Sequence, residues 1–395
     1  MDIKKRAQAI EAETIAMRHE LHEAPELSSQ EFETVIYLQE KIKALGLPVE
    51  DVPDSTGFAA VLDTGRPGKT LAIRTDIDAL PVQETDDNLA GPRQVKSKKD
   101  GVMHACGHDG HMAIILSTMK LLLEAKNDLS GKVYFLFEEG EEIGAGIDAM
   151  LAYLQEKQID AIYANHLVAF LPTGQVSVDA GEKMAGVAPI SFTIHGKGGH
   201  GSRPDLAINP VFAAAHVLTA LSTAWTNRLD VTKTVTLGLT EIHAGSAWNV
   251  IPDQATISGT LRFYDMAEGK RAVDLLRQVA EATAAAHACT ISYDDKVGFI
   301  NPPVINDDKL AKIALQAAED VIGPDANQGN TQWFASEPFG RYREIAPSLF
   351  SFIGMQDDTY GSGAEHHNEY FDLDDGALKH GVALTTQFAV DFLNS

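Results

Sequence analysis

The run Met103-His104-Ala105-Cys106-Gly107-His108-Asp109-Gly110-His111 puts a thiol and several imidazoles into one short segment. Further on come the acidic run Glu138-Glu139-Gly140-Glu141-Glu142, then His166, then the pair His366-His367. Thiolate, imidazole and carboxylate together are the donors that a borderline-soft ion such as zinc takes. Cys106 and His108 lie two apart beside a glycine, so extended backbone can aim both side chains the same way. Glu141 and Glu142 are adjacent and point to opposite sides of an extended chain, so one can ligate metal while the other handles protons. Each segment alone has a plainer explanation. Cys106 and His108 would serve as a buried thiol and a capping histidine, and most acidic runs are a solvated face. His166 would be a satisfied core histidine, and His366-His367 an exposed loop. Four such segments in one chain point to a metalloenzyme.

These residues need elements to position them, and the pattern supplies candidates. In the first half, helical apolar spacing covers 3–22, 29–45, 112–125 and 145–157, alternating with strand-like runs at 58–62, 71–74, 133–137 and 161–164. Alternating strands and helices predict an α/β fold with a largely parallel sheet. Asp76 and Asp78 follow one run, Glu138 to Glu142 another, and His166 a third. Ligands in open α/β sheets gather outside the carboxyl ends of strands. From 185 to 297 the rhythm changes to β-α-β-β-α-β, with strands at 190–195, 232–242, 255–263 and 290–293 and helices at 209–225 and 268–287. That order predicts a ferredoxin-like α+β domain inserted into the first. Helix, strand and helix at 307–322, 349–353 and 377–393 then complete the first domain, giving parts 1–184, 185–297 and 298–395.

Composition narrows the function. A chain of 395 residues is too long for one compact core. A formal charge of -24 argues against nucleic acid, which needs clustered Lys and Arg, and against an anionic membrane surface. Cys106 and Cys289 are the only cysteines, too few for a disulfide framework. The charged N-terminal pattern and the lack of a long apolar stretch point to a cytoplasmic protein.

Further blocks sharpen the picture. They are Arg18-His19-Glu20-Leu21-His22, Arg74-Thr75-Asp76-Ile77-Asp78-Ala79-Leu80-Pro81, Gly198-Gly199-His200, Asn249-Val250-Ile251-Pro252-Asp253, Gly259-Thr260-Leu261-Arg262 and His367-Asn368-Glu369-Tyr370-Phe371-Asp372. With the Met103 to His111 block, the chain resembles the dinuclear metallopeptidase family of N-acyl-amino-acid amidohydrolases. That group includes hippurate hydrolases and indole-acetyl-amino-acid hydrolases.

The resemblance implies a zinc-peptidase-like catalytic domain (1–184 and 298–395) and a lid or dimerisation domain (185–297). It implies that Cys106, His108, Glu142, His166 and His367 ligate two divalent ions, zinc or manganese first and cobalt or nickel as alternatives, with Cys106 bridging. Glu141 matches the general base. His200 and Asn249 match lid residues that approach the substrate, in many relatives from the partner subunit of a homodimer. Asp76 matches a carboxylate behind the site. The implied substrate is an N-acyl amino acid or a short peptide.

Three departures stand out: Glu138-Glu139-Gly140 where relatives carry Gln-Pro-Ala, Gly201-Ser202-Arg203-Pro204-Asp205 after the lid histidine, and Pro338 where relatives carry aspartate. Arg203 is a candidate contact for an acidic group. A carboxypeptidase or dipeptidase with the same centre is the nearest alternative. A thiol hydrolase using Cys106 and a non-catalytic metal-binding relative are the more distant ones.

Overall fold

The computed structural model describes residues 1–294 and 301–395. The chain divides into two compact units: Met1–Lys183 with Ile305–Thr331 and Arg341–Ser395, and Met184–Val304 with Gln332–Gly340. The boundary expected at 297/298 lies outside the described residues. Segment 332–340, expected with the last part of the chain, belongs to the second unit.

The first unit is built on a seven-stranded sheet. Its order is Val49–Asp51, Phe58–Asp63, Lys132–Glu138, Thr70–Asp76, Ala161–Pro172, Ser348–Gln356, Val176–Ser177. The four strands from Lys132–Glu138 to Ser348–Gln356 run parallel, and the flanking strands pair antiparallel. The parallel strands are buried almost throughout, which is why they read as continuous apolar runs such as Val133-Tyr134-Phe135-Leu136-Phe137. The strand expected at 161–164 extends to Pro172, so His166 sits within a strand rather than after one. Alternation then turns Asn165 to Thr385 on the opposite face (3.2 Å).

Helix His108–Glu124 starts four residues earlier than periodicity predicts, because Gly107 takes φ +86, a left-handed conformation that glycine adopts without steric cost. The early start puts His108 and His111 one turn apart at the helix N-terminus. Gly110 lets this helix approach strand Ala161–Pro172 closely, since a Cβ there would lie 2.4 Å from a Leu167 methyl.

The second unit holds a four-stranded antiparallel sheet in the order Val235–Ala244, Gln254–Phe263, Gly186–His195, Thr290–Tyr293. Helices Pro210–Arg228 and Met266–Ala286 pack on it. Taken in chain order this is the ferredoxin-like arrangement. It has its own core of Ile190, Phe192, Val217, Ile257, Phe263 and Leu276.

Several polar blocks of the sequence meet in the buried interior of the first unit. The Arg18 guanidinium, fully buried, pairs with Asp109 (2.8 Å), Asp372 (3.2 Å) and Asp375 (3.4 Å). His22 bridges Asp109 (2.8 Å) and Glu84 (2.9 Å), and Arg93 lies 3.3 Å from Glu84. Burial opposes ionisation of Asp109, but Arg18 and His22 more than offset it and hold the carboxyl well below its ordinary value. The depressed Asp109 carboxyl contributes stability that is fully present above about pH 4, the unfolded value, and is lost as pH falls through the folded value. Arg18→Met removes the common partner and should lower the unfolding free energy by about 3–5 kcal/mol in urea titrations at neutral pH. That deficit should shrink below about pH 4 as the Asp109 carboxyl protonates. A loss under about 1 kcal/mol would remove the network from the stability of this unit.

Candidate metal centre

Near the carboxyl ends of strands Thr70–Asp76 and Lys132–Glu138, side chains from four separate segments converge. The donor atoms of Cys106, His108 and His166 lie within 4.8 Å of one another, as do those of Cys106, Glu142 and His367 and those of His108, Glu141 and Glu142. Cys106 and His108 are each common to two of these groups, and His108 also groups with Asp76 and His111. The arrangement is that of overlapping donor clusters joined through Cys106 and His108.

Backbone and neighbours aim each donor. His108 Nδ1 faces the Asp78 carbonyl (2.9 Å) and carboxylate (3.1 Å), which turns Nε2 inward. His166 Nδ1 donates to the Leu167 carbonyl (2.7 Å), leaving Nε2 facing the Cys106 sulfur at 3.6 Å. His367 holds φ +64 and a half-exposed ring, with Nε2 at 3.3 Å from Glu142 Oε1. Its amide is tied to the Ala105 carbonyl (2.9 Å), which joins the last donor segment to the first. His366 turns inward instead, 3.0 Å from the Leu167 carbonyl. Glu141 and Glu142 lie in a short 3-10 turn, Glu141–Ile143, and not in the extended chain expected.

The electrostatics favour a cation. Burial opposes protonation of His108, but Asp76 and Asp78 overcome it and hold the ring up at about 10. Burial and the Glu142, Glu141 and Asp76 carboxylates push the Cys106 thiol well above its ordinary value. A thiol so placed is a poor free nucleophile, which counts against a thiol hydrolase, and it ionises only when positive charge arrives. His108 Nε2 and Glu142 Oε1 are buried without a hydrogen-bond partner. Unpartnered imidazole and carboxylate atoms of this kind, beside a buried thiol, fit a pair of divalent ions.

Asp76 sits behind the donors, bonded to His111 Nδ1 (2.8 Å) and Arg74 (2.9 Å), with His108 Nε2 at 3.7 Å. His111 also accepts the Leu167 amide at Nε2 (2.9 Å), so both its ring nitrogens are engaged. Asp78 was not assigned a role from sequence, although it shares the Asp76 block. Its carboxylate orients His108 and also accepts the Glu142 amide (3.1 Å). The extra carboxylates before the glutamate pair have partners of their own. Glu138 bonds Arg74 (3.0 Å) and Tyr342 (2.6 Å), and Glu139 holds Ser55 and Thr56.

His200 and Asn249 lie in the second unit. His200 pairs with Val250 in a two-stranded ribbon, and the Asn249 carbonyl accepts the Gly201 amide (2.8 Å). Both line a cleft of about 890 Å³. Ser202 engages His200 Nδ1 through its amide (3.1 Å) and hydroxyl (2.8 Å). Arg203 is bound bidentately by Asp205 at 2.9 and 2.8 Å, so that cation already has its acid.

A mixed α/β sheet with paired donor clusters at its carboxyl edge, and a ferredoxin-like second unit, define the class. The chain belongs to Peptidase family M20/M25/M40, whose profile matches residues 72–391. It is 34% identical over 392 residues to an N-acetylcysteine deacetylase of Bacillus subtilis strain 168, covering 98% of each chain. It is 31% identical over 399 residues to thermostable carboxypeptidase 2 of Saccharolobus solfataricus, covering 99% of this chain and 98% of that one. Among solved structures, a Bacillus subtilis dinuclear metal binding peptidase of the M20 family superposes with a TM-score of 0.83 at 32% identity, covering 98% of this chain and 99% of that one.

Asp78→Asn should weaken metal retention about 10- to 100-fold in competition with a chelator, because the Glu142 amide loses its carboxylate acceptor and His108 its charged partner. Unchanged affinity would confine Asp78 to a structural part.

Proposed function

We propose that the chain is a metal-dependent amidohydrolase that cleaves N-acyl amino acids into a carboxylic acid and an amino acid. The observation that carries this is the convergence of Cys106, His108, Glu142, His166 and His367 around one electronegative pocket with Glu141 beside them. In this reading those five residues hold two divalent ions, with the Cys106 thiolate shared. The mixed sulfur, nitrogen and oxygen set suits zinc, with manganese next. Such ions, when bound, supply Lewis acidity that brings the pKa of water towards ~7 and polarises the amide carbonyl.

The protein's own groups then move the protons. The Glu141 carboxylate takes the proton of the attacking water and passes it to the leaving nitrogen, so the amine departs neutral. The His200 imidazole would donate to the oxyanion of the tetrahedral intermediate, and Asn249 would hold the substrate beside it. Asp76 would hold His111 and, through it, the backbone beside His166.

A homodimer through the second unit fits this scheme. Strand Val235–Ala244 is a sheet edge whose last five residues are all exposed, and Trp248, at 97% exposure, stands close by in sequence. The two free cysteines fit a reducing cytoplasm. A carboxypeptidase is the second reading, favoured by the relative named for that activity.

Wild type reconstituted with zinc or manganese should release amine from a panel of N-acetyl amino acids, N-benzoyl amino acids and dipeptides. Chelation should abolish this and metal should restore it. Glu141→Gln should keep its metal and lose roughly 10²–10⁴ in kcat. Near wild-type turnover in that variant would remove Glu141 from the base role, and preference for peptides would decide for the carboxypeptidase. If His200 acts across a dimer, mixed His200→Ala and Glu141→Gln subunits should regain activity at one intact site. Verified heterodimers that stay inactive would place His200 within its own subunit or outside catalysis.

A further inference from the structure

The turn that carries Glu141 and Glu142 hangs on Gly140, which sits at φ +55 with a tightly packed neighbourhood, a Cβ there lying 2.8 Å from the Ala145 methyl. The Gly140 carbonyl closes the turn by accepting the Ile143 (3.3 Å) and Ala145 (2.9 Å) amides. Its N–H points the other way and donates, buried, to Glu31 Oε1 at 2.7 Å.

Glu31 stands at the N-cap of helix Phe32–Ala44, a position that Ser, Thr, Asp or Asn ordinarily fills by bonding the first turn. Here the side chain makes no capping bond and reaches instead to a residue 109 positions away. Glu31 is fully buried, and its second oxygen has no hydrogen-bond partner. The same loop acts at a second point. The Ser28 hydroxyl donates to Asp78 Oδ2 (2.7 Å), and that oxygen accepts the Glu142 amide (3.1 Å). The two peptide N–H groups that bracket Glu141 are thus held by carboxyls, one belonging to the 28–31 loop and the other braced by it.

We infer that Glu31 is a positioning residue for Glu141: its buried carboxyl fixes Gly140, and Gly140 sets the turn that aims the base. The inference rests on the function proposed above. Without Glu31 a buried N–H loses its acceptor at a glycine, the residue type that holds its conformation least firmly. A displacement near 1 Å at a reacting group costs on the order of 100-fold in rate. Burial pushes the Glu31 carboxyl up to about 7, and the oxygen accepts the Gly140 N–H whether charged or neutral. A glutamine amide oxygen can do the same.

Glu31→Ala should lower kcat about 10- to 100-fold, with KM and metal content unchanged. Glu31→Gln should recover most of that loss. In the Glu141→Gln background Glu31→Ala should add no further loss, because a residue that acts through Glu141 has nothing left to position. Hydrogen exchange of the segment 137–145 should quicken in Glu31→Ala, with and without metal, and return to the wild-type rate in Glu31→Gln. If the alanine variant does not fold, Glu31→Asp, one methylene too short to reach, should show the same pattern. Wild-type kcat with wild-type exchange, or a full additional loss on top of Glu141→Gln, would overturn the inference. A wild type that hydrolyses nothing, or an active Glu141→Gln, would instead overturn the proposed function, and the exchange measurement would still decide whether Glu31 holds the turn.

Discussion

A buried carboxylate needs a partner to replace water, and much of the first unit is organised by which cation each one meets. Asp109, Asp372 and Glu84 meet Arg18, Arg93 and His22, while Asp76 and Glu138 share Arg74. Glu142 meets imidazoles, His108 and His367, and the Cys106 thiol beside it is held neutral by the surrounding negative charge. The guanidiniums therefore serve the interior behind the site, and the site itself keeps an excess of negative charge facing its donors. That distribution of charge suits the divalent ions proposed for these donors.

The same division explains why conspicuous sequence blocks have different duties. The Arg18 to His22 block contributes no donor. It neutralises Asp109 in the first turn of helix His108–Glu124, and so lets that helix begin with His108 at the donor cluster. The acidic run at 138–142 divides in the same way. Glu138 and Glu139 turn back to Arg74, Tyr342, Ser55 and Thr56, and only Glu141 and Glu142 face the cluster. The departure from relatives at Glu138 and Glu139 thus adds carboxylates that have partners before they reach the donors.

The second unit follows a different logic. Its polar residues of interest, His200 and Asn249, stand on an exposed ribbon beside a broad cleft, and their side chains are not locked by burial.

Much of this was legible in the order of residues. Donor types are chemical properties of side chains, and the alternation of strand and helix is written in the apolar period, so the α/β class, the ferredoxin-like insert and the candidate donors could be read directly. What depended on the third dimension was direction. Residue type alone shows His366 and His367 as equals and the resemblance picks out His367; the φ +64 at His367 and the Leu167 carbonyl facing His366 give the physical difference. Likewise Asp76 and Asp78 look interchangeable until the one is seen bound to His111 and Arg74 and the other to His108 and the Glu142 amide. The contact of Glu31 with Gly140 spans 109 residues and leaves no local trace. Spacing along a chain constrains neighbours within an element, whereas the partner of a buried polar group is chosen by which elements pack together, and that choice is made only when the chain folds.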